Sequence, residues 1–171
     1  MKKLVLVIFL FGLIANQSFA QSDLSTEERK LIKETVEQRS KELWRLHTQD
    51  YNEENLKRLM EFFVETEDKS WMGKPAILLD GIYFTHSKEE IEDIFSQVFE
   101  RRHSAPFKLL ENYFAVISEE VVVEIQTIEN YIIAKNGNRS PDFEAGDTLV
   151  WILSDNAWKI LHWHRTTQKK E

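Results

Sequence analysis

Apolar residues along this chain change their period once. In the first part they recur at steps of three and four. Ile32, Val36, Leu43 and Leu46 keep that spacing, with Arg39 in the same register and Leu31 and Trp44 alongside. The pattern predicts an amphipathic helix of about 20 residues. Ser25 and Glu28 stand at capping-box spacing ahead of it, and Asp50-Tyr51-Asn52 ends it. Leu56, Leu59, Met60 and Phe63 mark a second, shorter helix. From Asp68 to Phe84 the pattern loosens around Gly73, Pro75 and Gly81, which predicts one or two short strands with turns. Ser87 and Glu90 repeat the capping-box spacing, and Ile91, Ile94, Phe95, Val98 and Phe99 follow as a third helix, ending near Arg102-His103.

After Pro106 the period becomes two. Strands are expected at about 107–117, 120–134, 145–154 and 157–167. Ser118-Glu119, the polar loop from Lys135 to Phe143, and Asp155-Asn156 connect them. Long antiparallel strands need one face covered, and three amphipathic helices are available to cover it. The fold class is α+β: a cone-shaped curved antiparallel sheet with three N-terminal helices on its concave face. There is no internal repeat or low-complexity tract, so residues 21–171 read as a single domain.

Residues 1–20 read separately. Lys2 and Lys3 precede an apolar run from Leu4 to Ile14, and Ser18 and Ala20 occupy the small-residue places of a cleavage site before Gln21. The run is about half of the ~20 residues a membrane span needs. We expect an export signal and a domain that is periplasmic or secreted, with no membrane association after cleavage. The chain has no cysteine, which excludes disulfides, thiolate metal sites and a thiol nucleophile. Its net charge is −7, and loss of Lys2 and Lys3 makes it more negative, so nucleic acid is not expected as a partner. Nucleotide-binding glycine motifs and the serine-hydrolase elbow are absent from the sequence.

Alternation through the hairpins assigns the faces. A two-residue turn at Ser118-Glu119 would set Val116 opposite Val121, Phe114 opposite Val123 and Asn112 opposite Ile125. Thr127, Glu129 and Tyr131 would then share the inner face. In the last hairpin, Leu153 would face Trp158, Trp151 would face Ile160, and Leu149 would face His162, with His164 on the same side. The inner face is thus apolar at one end and polar at the other, which is the pattern of a lined cavity. Its candidate binding residues are Asn112, Tyr131, Trp151 and His162, with Trp71. Glu129 with His164 is the candidate acid–base pair, suited to proton abstraction beside a carbonyl, dehydration or water activation. His162, His164 and Glu129 also have the composition of a two-His, one-carboxylate site, but no metal or other cofactor is expected. His47, His86 and His103 read as surface or capping residues. Ile128, Ile132, Val150, Ile152, Leu161 and Trp163 would make an apolar outer face, which predicts a homodimer through the sheet.

The order of three helices and a four-strand meander resembles the nuclear transport factor 2-like superfamily, in particular its SnoaL-like branch. The likeness rests on Asp147-Thr148-Leu149-Val150-Trp151 and on Trp158, Lys159, Ile160, His164 and Thr166 of the last strand. A middle segment also fits: Leu59 to Phe63, Trp71, Gly81 and the helix from Ile91 to Phe99. It spans roughly Leu24 to Thr166. The resemblance implies a cone-shaped cavity and frequent dimerisation through the sheet. It does not choose a reaction, because the superfamily holds isomerases, dehydratases, cyclases and hydrolases beside proteins without catalysis. The expected function is an exported domain that binds a small apolar or carbonyl-containing molecule. The alternatives are an enzyme using the Glu/His pair and a non-catalytic dimerisation module.

Overall fold

The computed structural model describes residues 24–65, 75–79, 83–85 and 87–169. The leader, Trp71 and His86 lie outside the described residues. Helix α1 (Thr26–Thr48) opens on a complete capping box between Ser25 and Glu28. Helix α2 (Glu53–Met60) is capped by Asn52, whose side chain accepts from the Asn55 N–H. Strands β1 (Ala76–Leu79) and β2 (Tyr83–Thr85) precede helix α3 (Lys88–Arg101), where Ser87 accepts from the Glu90 N–H. Then come β3 (Arg102–Ser104), β4 (Phe107–Val116), β5 (Val121–Asn130), β6 (Ile133–Ala134), β7 (Phe143–Ser154) and β8 (Ala157–Lys169).

The main sheet runs β2-β1-β8-β7-β5-β4, and β3 pairs with β6 in a small second sheet. The fold is α+β, with a curved, unclosed sheet. It is mixed rather than wholly antiparallel, because β1 joins β8 in parallel. The β7–β8 turn needs no glycine: Asp155 and Asn156 adopt φ of 52° and 60°, the left-handed region these two residue types tolerate.

Two one-residue events reassign the faces expected from alternation. Between β4 and β5 the Ile117 N–H donates to the Val121 carbonyl at 2.9 Å, so the connection is one residue longer than a two-residue turn. Val116 therefore pairs with Val122, Phe114 with Glu124 and Asn112 with Gln126. A slip of one residue moves a whole strand's side chains to the other face. Val122, Glu124, Gln126, Ile128 and Asn130 are buried, and Ile125, expected inside, is 50% exposed.

The second event is a bulge in β8. Ile160 still pairs with Trp151, as expected, but His162 pairs with Val150 and Trp163 with Leu149. Leu161 is the extra residue, and it inverts the alternation beyond it. Trp163 is consequently buried, and His162 and His164 turn to the outer face. Ile128 and Trp163, expected on the outside, are core.

The core lies between sheet and helices. Val36, Leu43, Trp44 and Leu46 of α1 meet Phe95 and Phe99 of α3 and Leu149, Trp151, Ile160 and Trp163 of the sheet. Trp44, Phe95 and Phe63 all lie within 6.5 Å of the Trp163 ring, centroid to centroid.

Candidate functional site: a cavity beneath the sheet

A cavity of about 670 Å³ opens between α3, the β3 region, the ends of β5, β7 and β8, and the last turn of α1. That volume suits a ligand of ordinary small-molecule size. Phe95, Val98, Ile132, Phe143 and Trp163 supply much of its apolar wall. His47, Tyr51, Asn130 and Arg165 supply polar groups.

His47 was expected at the surface because it falls in the last turn of a helix. The chain after it turns back, however. The Tyr51 N–H donates to the His103 carbonyl and the Ala105 N–H to the His47 carbonyl, which folds the β3 region over the helix end. His47 is thereby buried among Trp44, Tyr51, Phe95 and Trp163. Its Nδ1 lies 3.4 Å from the Tyr51 hydroxyl, and its Nε2 is buried with no hydrogen-bond partner among the described residues. Burial, aided by the Arg165 and Arg102 charges against the opposing pull of Asp147, lowers the His47 pKa to about 3. The ring is neutral at physiological pH. A neutral imidazole has one donor and one acceptor nitrogen, so Nε2 presents an unmet valence whichever nitrogen holds the proton. Asn130 repeats the pattern, with its buried Oδ1 also unpartnered among the described residues. Burial pushes the Tyr51 hydroxyl up to about 12, so it too is neutral.

Two buried carboxylates stand behind this wall on adjacent strands. Asp147 accepts from Trp163 Nε1 at 2.8 Å, from Gln126 Nε2 at 3.2 Å, and from Arg165 Nε and Nη2 at 2.7 and 2.8 Å. It fixes both the indole and the guanidinium that line the cavity. Glu124 accepts from Ser40 Oγ at 2.7 Å, Trp151 Nε1 at 2.9 Å and Asn112 Nδ2 at 3.1 Å. Burial raises its pKa, against the pull of those donors.

The expected site residues divide accordingly. Trp151 and Asn112 are on the inner face, bound to Glu124, but neither lines the cavity. Tyr131 lies beyond the end of β5 with the Arg139 guanidinium 3.9 Å over its ring. His162, His164 and Glu129 are on the outer face. Register places His164 level with Ile125, four residues from Glu129, about 13 Å along a strand. The acid–base pair is therefore not assembled. Among the described residues no group of three or more His, Asp or Glu is placed to hold a metal ion. The residues that do meet at the cavity, His47, Tyr51, Asn130 and Arg165, were missed. Arg165 and Asp147 pair across β7 and β8, which correct register alone would have revealed.

No family profile and no curated protein sequence matches this chain. Solved structures do. A protein provisionally named scytalone dehydratase from Novosphingobium aromaticivorans superposes with a TM-score of 0.66 at 9% identity, covering 86% of this chain and 93% of that one. The hexachlorocyclohexane dehydrochlorinase LinA-type3 from Novosphingobium barchaimii gives 0.60 at 16% identity, over 84% and 91%. A protein described as a dehydratase of the nuclear transport factor 2-like family, from Streptomyces avermitilis, gives 0.62 at 12% identity, over 81% and 97%. At these identities the likeness establishes the fold: this chain has the nuclear transport factor 2-like architecture that its strand motif resembles.

Proposed function

We propose that this domain binds a small, largely apolar molecule in the cavity beneath its sheet. One observation carries the reading: a cavity of about 670 Å³ has an apolar wall of Phe95, Val98, Ile132, Phe143 and Trp163, with His47, Tyr51, Asn130 and Arg165 among its polar lining residues. Apolar surface that a ligand moves from water onto that wall stabilises the complex by about 25 cal/mol per Å². A thermal-shift screen of small apolar and carbonyl-containing compounds tests it. A true ligand at 100 times its Kd adds about 2.7 kcal/mol of stability and raises Tm. A screen in which no compound raises Tm contradicts the reading.

A second reading, catalysis, draws on the neighbours described as dehydratases and a dehydrochlorinase. In it His47, with a pKa near 3, is too weak a base to abstract a proton, and its buried Nε2–H would donate to a carbonyl or leaving group of a ligand that displaces the wall enough to reach it. A hit that is consumed by the wild type but only bound by His47→Phe favours this reading over simple binding.

The remaining features of the proposal concern the whole protein. Export follows from the N-terminal leader, and sequencing of the mature N-terminus should begin at Gln21. Self-association follows from the outer sheet face. Tyr113 and Ile125 stand opposite one another there and are 63% and 50% exposed, flanked by Ala115, Val123, Val150 and Ile152. This sparsely charged strip lets two copies of an acidic chain approach, so a second copy is the proposed occupant.

A further inference from the structure

The charge around the cavity runs against the charge of the chain. The protein is net −7, yet Arg101, Arg102, Arg165 and Lys169 all line the cavity, with Asp142 the one carboxylate among the described lining residues. Asp142 is already matched by Arg139, whose Nη2 donates to it. Arg165 is matched by Asp147. Arg101 and Lys169 have no carboxylate within ion-pairing distance among the described residues. Arg101 ends α3, where a cation suits the helix dipole. That accounts for one cation and not for the presence of four, from α3, β3 and β8, around one cavity. The field reaches inside as well, because Arg102 and Arg165 both act on the His47 and Tyr51 rings.

We propose that the molecule held in this cavity is an organic acid: an apolar body, seated against Phe95, Val98 and Trp163, with one anionic group directed to Arg101 and Lys169 at the opening. This rests on reading the cavity as a ligand site and adds the ligand's charge. The body buries apolar surface against that wall. A positive, low-dielectric cleft raises the local concentration of an anion and speeds its capture. Charge-assisted hydrogen bonds from Arg to an acid group are the stronger kind.

Two dyes that share a ring system make the test. Anilinonaphthalene sulfonate carries an acid group, and phenylnaphthylamine is the same skeleton without it. Both are titrated by fluorescence into the full chain and into the double variant R101Q/K169Q, at low and high salt. Both mutated side chains are exposed, and the neutral dye's affinity checks that the variant's cavity is intact. The expected result is saturable binding of both dyes, about tenfold tighter for the sulfonate at low salt, with the gap lost in the variant and reduced by salt. Equal affinity for the two dyes in the wild type, or a gap that survives in R101Q/K169Q, overturns the assignment of charge and leaves the cavity reading standing. Failure of both dyes to bind overturns the two together.

Discussion

At the scale of single residues, the side chains that face the cavity are held by others that do not. Asp147 is the clearest case: its oxygens take the Trp163 indole and both ends of the Arg165 fork, inside a fully buried pocket. Replacing it with Asn takes the carboxylate from the part-buried Arg165 guanidinium and an acceptor from the Trp163 indole. The expected loss is about 1–3 kcal/mol in urea denaturation. His47 makes a separate prediction. Its folded pKa lies near 3 and its unfolded value near 6.5. Between those values the unfolded chain binds more protons, so stability falls as pH drops from 6.5 toward 3, by about 1.4 kcal/mol per pH unit. Glu124 works the other way, because a raised folded pKa adds stability as pH falls through it toward the ordinary carboxylate value. Comparing wild type with His47→Phe at pH 5, 6 and 7 isolates the histidine. The variant should lose the wild type's excess acid sensitivity, and parallel curves would contradict the buried neutral ring.

Elements were legible wherever one local pattern decided them. The capping box at Ser25, the N-cap at Ser87, the helix ends at Asp50 and Arg102, and the Asp155-Asn156 turn all appear where the sequence puts them. Ser25→Ala should cost about 1 kcal/mol by chemical denaturation, since it removes the side-chain half of the α1 cap. Faces were less legible, because alternation carries an error of one residue to the end of a strand. The three-residue connection after Ile117 and the bulge at Leu161 each introduce such an error. In β5 the correct face is Val122, Glu124, Gln126, Ile128 and Asn130, and its polar members look like surface until their partners Ser40, Trp151 and Asp147 are known. Those partners are distant in sequence, so no local pattern announces them. The bulge itself can be tested. Deleting Leu161 removes the extra residue and leaves His162 opposite Val150 and Trp163 opposite Leu149, so Trp163 and Arg165 stay on the inner face. The expected outcome is a variant that keeps the near-UV circular dichroism and the cooperative unfolding of the wild type; loss of both would contradict the assignment of Leu161 as the extra residue.

For the whole molecule, the two faces of the sheet differ. Its inner face, with the helices, encloses the chamber, and its outer face presents Tyr113 and Ile125. Light scattering should give the mass of a dimer, and Ile125→Lys should give a monomer that still binds ligand. A wild-type monomer at high concentration would remove the second copy from the account without touching the cavity. The superfamily resemblance identified the architecture, as the superposed structures show, and left the chemistry to the residues of this chain. The central claim is that the space between α3 and the sheet is where a ligand sits. Titrating phenylnaphthylamine into the wild type and into Val98→Trp, whose larger side chain fills the chamber from the α3 wall, tests this most directly. The account predicts saturable one-to-one fluorescence enhancement in the wild type and at least about a tenfold weaker response in the filled variant. Equal binding by the two proteins would place the dye elsewhere and contradict the claim.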